Sequence, residues 1–354
     1  NKYCEEGGLI MKIKNLIKVI SKMNVYQTIP PYNLSWMKSR TFFNQILKEE
    51  AINLIDIGAR NTSCEELEPL KNCLNYIGFE SDEVEARRLN EKRNDDFKSF
   101  LVIPKFVGTK AEKIDFNIFK KKGESSKLEP NPYFQEYFGD FFEISDTVSI
   151  DSVNLDDVLK SNMITPDIIK LDTQGTEFEI LNSSPRSLES SLLIESEIEF
   201  VQMYKSQKLF YDVCSLLYKS GFELLYLNRV FSSSKRFKGE SRGQIIFGDA
   251  LFGKRRDLVK QLSVERKLKY CVMLINYGHI DFAYDIFNEN EDLKFYSDSL
   301  IEFFKTSFRS EKRGFFQKIK FGLKCQIEKL LYLTLVARKT NGLRSDSDRS
   351  WPVR

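Results

Sequence analysis

The sequence predicts an α/β fold, a doubly wound sheet of seven mostly parallel strands followed by a helical C-terminal appendage. Three observations carry that prediction. Short apolar runs end on acidic or small residues, as strands covered on both faces do. Segments with helical spacing separate these runs from residue 51 to residue 254, and beyond 254 only helical spacing continues. The chain therefore divides into a helical preface (1–50), a main domain (51–254) and a helical extension (255–354).

In the preface, basic and apolar residues at helical spacing are broken at Pro30-Pro31. The first strong strand is Asn53 to Ile57, and the small-residue turn from Gly58 to Ser63 leads into a helical segment carrying Leu67 and Leu70. A second strand, Asn75 to Phe79, ends on Glu80. A helix from about Glu83 to Arg93 and a third strand, Phe100 to Ile103, follow. The polar passage from Pro104 to about Ser149 reads as an insertion near the site, because it alternates strand-like pieces with Gly123, Pro130 and Pro132. Asn154 caps a short helix that leads to the apolar run Ile168, Ile169 and Leu171, at whose end Asp172 emerges. Thr173 to Gly175 then turn the chain into a helix. Three further strands, Ser191 to Phe200, Phe222 to Leu227 and Gln244 to Gly248, complete the seven, with the helix Leu209 to Ser220 closed by Gly221. The extension reads as helices from Leu258 to Asn276, from Ile280 to Phe287 and on through Phe304. It ends in an amphipathic basic segment, 315–339, suited to docking on protein or a membrane surface.

Composition sets the class. A hydrophobic share of 42% with 30% charged residues describes a soluble globular chain, and a formal net charge of +3 over 354 residues gives no reason to expect nucleic acid as a partner. The six cysteines contain no Cys-x-x-Cys pair, so reduced thiols are expected. The longest apolar run falls far short of the roughly 20 residues that cross a bilayer, and no signal-peptide core opens the chain, so a cytoplasmic location is expected.

In an open α/β sheet, the carboxyl ends of the strands face the ligand crevice, which places Asp172 against a substrate or cofactor. Asp56-x-Gly58 followed by an acid at the tip of the next strand is how such folds hold an adenosine. Gly58 lets backbone approach the ligand, and Glu80 can take two ribose hydroxyls on its carboxylate. The only histidine, His279, lies in the extension, so a carboxylate must serve as any base in the main domain. No metal-ligand signature stands beside the carboxylates, and no metal is assigned. Period-two spacing puts Glu195, Glu197 and Glu199 on one strand face, where a solvated strand end is the bland expectation for Glu195 and Glu199. For Glu177 the bland expectation is a first-turn acid facing a helix dipole. For Ser125-Ser126 with Glu129-Pro-Asn131 it is a solvated turn.

Five blocks in order resemble the FkbM family of methyltransferases: Leu54-Ile-Asp-Ile-Gly-Ala59, Tyr76-Ile-Gly-Phe-Glu80, Ile169-Lys-Leu-Asp-Thr-Gln-Gly-Thr-Glu177, Glu197-Ile-Glu-Phe200 with Tyr204, and Gly243 to Phe252. The resemblance covers roughly residues 50 to 255. It implies a Rossmann-like sheet of the class I methyltransferase type, S-adenosyl-L-methionine as cofactor, and methyl transfer to a hydroxyl of a small-molecule or glycan acceptor in surface-polysaccharide assembly. The residues it implies for cofactor binding are Asp56, Gly58, Ala59, Arg60, Glu80 and Ser81. For catalysis it implies Asp172, Glu177 and Glu197. One departure is Arg60-Asn61-Thr62, where many methyltransferases carry a further glycine; Asn61 tolerates left-handed backbone and is expected to substitute. A chain whose cofactor site had weakened there would instead be a binding or scaffold protein. A nicotinamide oxidoreductase would want Gly-x-Gly-x-x-Gly after Ile57, and that pattern is absent.

Overall fold

The computed structural model describes residues 47, 50–61, 65–92, 96–138, 142–238, 243–307 and 343–345. The helical preface up to residue 46, the basic segment 315–339 and the C-terminal residues 346–354 lie outside the described residues.

Apolar runs buried on both faces make the centre of the main sheet: β1 (Ile52–Ile57), β2 (Leu74–Phe79) and β7 (Ile168–Leu171). With β3 (Ser99–Ile103) and β8 (Leu193–Glu199) they form a parallel block. The sheet continues through β11 (Gln244–Lys254), which runs antiparallel to β8 and pairs on its other side with β9 (Phe222–Leu227) and β10 (Val230–Ser232). A short strand β12 (Leu343–Ser345) adds to β10, and the order is β12-β10-β11-β8-β7-β1-β2-β3. All seven expected strands are present, and β10 and β12 bring the main sheet to nine. From β1 the chain winds outward to β2 and β3, then crosses to β7 on the other side. The order reverses between β1 and β7, which is where such a sheet opens a crevice at its carboxyl edge.

The insertion is a sheet of its own. In it β6 (Ile144–Asn154) pairs parallel with β4 (Phe106–Gly108) and antiparallel with β5 (Glu112–Phe119). Helix α2 (Pro132–Phe138), joined by Phe119, Phe142, Met203 and Tyr204, gives this lobe an aromatic core.

Both faces of the main sheet are covered. One packs on α3 (Leu155–Ser161), α4 (Glu177–Asn182), α5 (Pro185–Ser190) and α6 (Phe210–Lys219), through Leu159, Ile180, Leu188 and Leu217. The other packs on α1 (Glu83–Glu91), on the turn of helix Glu65–Cys73, and on α8 (Val264–Asn276) and α9 (Ile280–Glu289). Tyr270 to Ile275, Phe282 and Phe287 share one core with Ile52, Leu54, Tyr76, Leu193 and Leu251, so these helices form a layer of the fold. Between them and β11 lies the short α7 (Arg256–Val259), and α10 (Lys294–Ser307) follows.

The segment with Leu67 and Leu70 is a 3-10 helix. Pro69 within it has no N–H for an α-helical bond, which favours the tighter winding. Among the described residues, no helix is long and apolar enough to cross a membrane. Cys73, Cys214 and Cys271 are free thiols.

Candidate active site

Register brings three strand tips to one level. Ile57 pairs with Phe79 on one side and Leu171 on the other, so the chain leaves β1 at Gly58, β2 at Glu80 and β7 at Asp172 side by side. Backbone bonds from Gly58 N to Phe79 O (3.0 Å) and from Asp172 N to Ile57 O (3.0 Å) carry the ladder to these tips. They open on a cavity of 330 Å³ whose opposite wall is the insertion sheet, with Lys105, Phe106, Phe116, Lys122, Ser125 and Ile150 facing Gly58, Arg60, Glu80, Ser81 and Asp172.

On the β2 side, Glu80 is almost fully buried. It accepts the Asp82 N–H (2.8 Å) and lies 3.8 Å from Arg60. Loss of water around it raises its pKa, against the pull of the Asp82 N–H and of Arg60. Arg60 also donates to Asp82 (3.0 Å), the N-cap of α1, and so bridges two acids at the cavity rim. Asp56 and Ala59, expected as cofactor contacts, stay beneath the wall. Asp56 accepts the Tyr76 hydroxyl (2.6 Å) and lies 4.0 Å from Lys170, while the Ala59 methyl packs toward Gly78. The expected left-handed backbone at Asn61 does not occur: residues 59–61 form a right-handed 3-10 turn, and the positive φ falls on Gly58 (+90°).

Asp172 faces the cleft and is open to it. The protein packed around it withholds water and raises its pKa; Gln174 and Lys170 oppose that rise, and Asp249 and Asp56 add to it. Gln174, held at φ +55°, donates from one amide nitrogen to Asp172 (2.8 Å) and Glu197 (3.0 Å). Its amide oxygen lies 3.0 Å from the Tyr204 hydroxyl, and its backbone carbonyl accepts Ser126 Oγ (2.7 Å). Glu177, at the head of α4, is buried and folded back to accept Thr173 N (2.7 Å), Thr173 Oγ1 (2.9 Å) and Gly175 N (3.3 Å). It clamps the turn that presents Asp172, and neither it nor Glu197 lines the cavity. Burial pushes its pKa up to about 7.

The solvated strand end expected for Glu195 and Glu199 does not exist. Glu199 is buried, and Glu195 accepts the Tyr277 hydroxyl (2.5 Å) from the C-terminal helical layer. Burial first, and neighbouring carboxylates second, raise the pKa values of Glu197 and Glu199 well above the ordinary range.

A family model described as the methyltransferase FkbM domain matches residues 56–224, a span that runs from Asp56 beneath the cavity, through the insertion sheet and the Asp172 turn, into β9. The chain carries a methyltransferase FkbM domain over that span. It is an S-adenosylmethionine-dependent methyltransferase with a class I, Rossmann-like sheet. No curated protein matches the sequence significantly. Solved structures resemble this methyltransferase distantly. A magnesium protoporphyrin IX methyltransferase from Synechocystis, titled with bound SAM, is 8% identical with a TM-score of 0.32, over 66% of this chain and 85% of that one. A precorrin-6y C5,15-methyltransferase from Geobacter metallireducens is 12% identical with a TM-score of 0.30, over 61% and 87%.

Several residues in and around the cavity carry no signal of their own in the sequence. Lys105, Phe106, Phe116 and Ile150 come from the insertion, whose strands gave no clean alternation to orient them. Gln174 and Tyr204 belong to the family-like blocks, yet their joint hold on Asp172 depends on a contact across 30 positions. Ser125 and Ser126 were expected in a solvated turn. Instead Ser125 lines the cavity and Ser126 is fully buried.

Proposed function

We propose that the protein transfers a methyl group from S-adenosylmethionine to a hydroxyl of a sugar, glycan or related small acceptor, as an O-methylating step in the assembly of surface polysaccharide. The observation that carries this reading is Asp172, a cleft-facing carboxylate of raised proton affinity, level with the Gly58 and Glu80 tips and fixed by Gln174. The residues fit the cofactor. Glu80 offers a buried carboxylate to a vicinal diol, Gly58, Arg60 and Ser81 lie along the same rim, and Ile57, Phe79 and Val107 give apolar wall for a base. When bound, the cofactor supplies an electrophilic methyl on a sulfonium sulfur. Asp172 would take the acceptor hydroxyl proton, leaving the oxygen free to accept the methyl that such a cofactor would give up to it, with the sulfur keeping the bonding pair. Glu177 and Glu197 act through the turn and through Gln174, as positioning residues. Asp56 and Ala59 shape the turn from beneath. Residues 51–254 hold every proposed contact, and the helices beyond 255 support them from behind.

Calorimetric titration with S-adenosylmethionine tests the cofactor half. Binding in the micromolar range is expected, and its loss in Glu80→Ala; a native chain that does not bind would favour a non-catalytic scaffold. For the chemical half, Asp172→Asn is expected to keep fold and cofactor binding while lowering transfer to a hydroxyl acceptor by about 100-fold or more. Retained activity would remove Asp172 as the base.

A further inference from the structure

Behind Gln174, carboxylates converge from two elements. Glu177 from the head of α4 and Glu197 and Glu199 from the end of β8 each bring one oxygen to within 4.8 Å of the others. Glu177 and Glu199 are 2% exposed, and buried like charges at this spacing are costly unless something positive or a proton joins them. Among the described residues, the ion pairs of buried carboxylates serve Asp56, Glu80 and Asp167, and none reaches these three acids. Hydrogen-bond donors are unevenly shared. Glu177 receives three and Glu197 receives the Gln174 amide, whereas Glu199 Oε1 is buried and receives none. The Gln207 side chain stands near Glu199 and opposes the rise in its pKa, yet neither its Nε2 nor any other donor reaches Oε1 at hydrogen-bond distance. A buried carboxylate oxygen left in that state among other carboxylates is what a cation ligand looks like.

We propose that Glu177, Glu197 and Glu199 form a binding site for a divalent, oxygen-seeking cation of the Mg²⁺, Mn²⁺ or Ca²⁺ class. Two ligands of one such ion lie at most about twice its bond length apart, about 4.2 Å for Mg²⁺ and about 4.8 Å for Ca²⁺, so oxygens that all lie within 4.8 Å of one another are close enough to share an ion of this class. Three carboxylates leave further coordination positions for water. The ion would also hold Glu197, and through Gln174 the orientation of Asp172; that consequence rests on the methyl-transfer reading, while the site itself does not. The competing outcome is that protons neutralise the cluster, since burial raises the pKa of all three acids.

The test uses the full chain, stripped with EDTA and titrated with Mn²⁺ at pH 7.5, with free Mn²⁺ followed by electron paramagnetic resonance. One Mn²⁺ per chain is expected, displaced by Mg²⁺ or Ca²⁺, with a rise in thermal midpoint. Glu199→Gln and Glu197→Gln, checked by circular dichroism, should each weaken binding at least tenfold. In the metal-free state Glu199→Gln should melt higher than the native chain, because it removes repulsion without removing bulk. If both variants unfold, Tb³⁺ emission sensitised by Tyr204 in the native chain, and weakened by Tyr204→Phe, locates the ion. No Mn²⁺ bound by the native chain, equal affinity in folded variants, or Tb³⁺ emission indifferent to Tyr204 would each overturn the proposal. Cofactor titration on the same samples is scored separately, so the two readings fail independently.

Discussion

At the scale of single residues, Gly58 shows how a correct expectation can rest on an incomplete reason. The sequence marks it as the glycine that lets backbone approach a ligand. In the structure its closest demand comes from the chain itself: at φ +90°, a Cβ would sit 2.0 Å from the Asp172 carbonyl oxygen. Gly58→Ala therefore forces β1 and β7 apart at the point where Asp172 is presented. A loss of about 1 to 3 kcal/mol in urea unfolding is expected, and the loss of S-adenosylmethionine affinity should exceed that of a rim variant such as Ser81→Ala. Asp56 makes the complementary case. Its position beside Gly58 was legible, but its side chain turns toward Tyr76 and Lys170, because Lys170 is its cross-strand neighbour in register.

At the scale of elements, the turn 173–175 with α4 is a unit closed by Glu177. Its carboxylate, for which the sequence offers both a catalytic and a helix-dipole role, spends one oxygen on three donors of that turn. Its folded pKa, about 7, stands above the ordinary 4.5. Such a group binds its proton more tightly folded than unfolded, so its contribution to stability is complete below about 4.5, falls as pH rises through the window, and is gone above about 7. Urea unfolding in EDTA should show the native chain losing stability between those limits. Glu177→Gln, which keeps an acceptor oxygen, should flatten the slope without abolishing it, because Glu197 and Glu199 are shifted in the same direction. A native slope of the opposite sign would remove Glu177 as a buried acid. The insertion was the least legible element. Much of β6 is exposed, so the alternation that would have marked it is weak, and its role as a cavity wall appears only when it folds over the strand tips.

At the scale of the whole molecule, the helices after residue 255 are not a detachable unit. Tyr270, Met273 and Phe287 are fully buried against the face of the sheet that carries Leu54 and Tyr76, and Tyr277 reaches Glu195. A chain ending at Lys254 would expose that face, and it is expected to be insoluble or to bind a hydrophobic dye with loss of near-ultraviolet circular dichroism. A soluble, cooperatively unfolding fragment would show that the layer is dispensable. The sequence by itself determined the alternation of strands and helices, the acids at the strand tips and the FkbM-like motifs around them, because these are written in local periodicity and contiguous motifs. Only the tertiary structure decided that Gln174 joins Asp172 to Glu197, that the insertion closes the cavity, and that Glu199 lies buried beside Glu177. Those relations depend on parallel register between strands far apart in the chain, which no local pattern encodes.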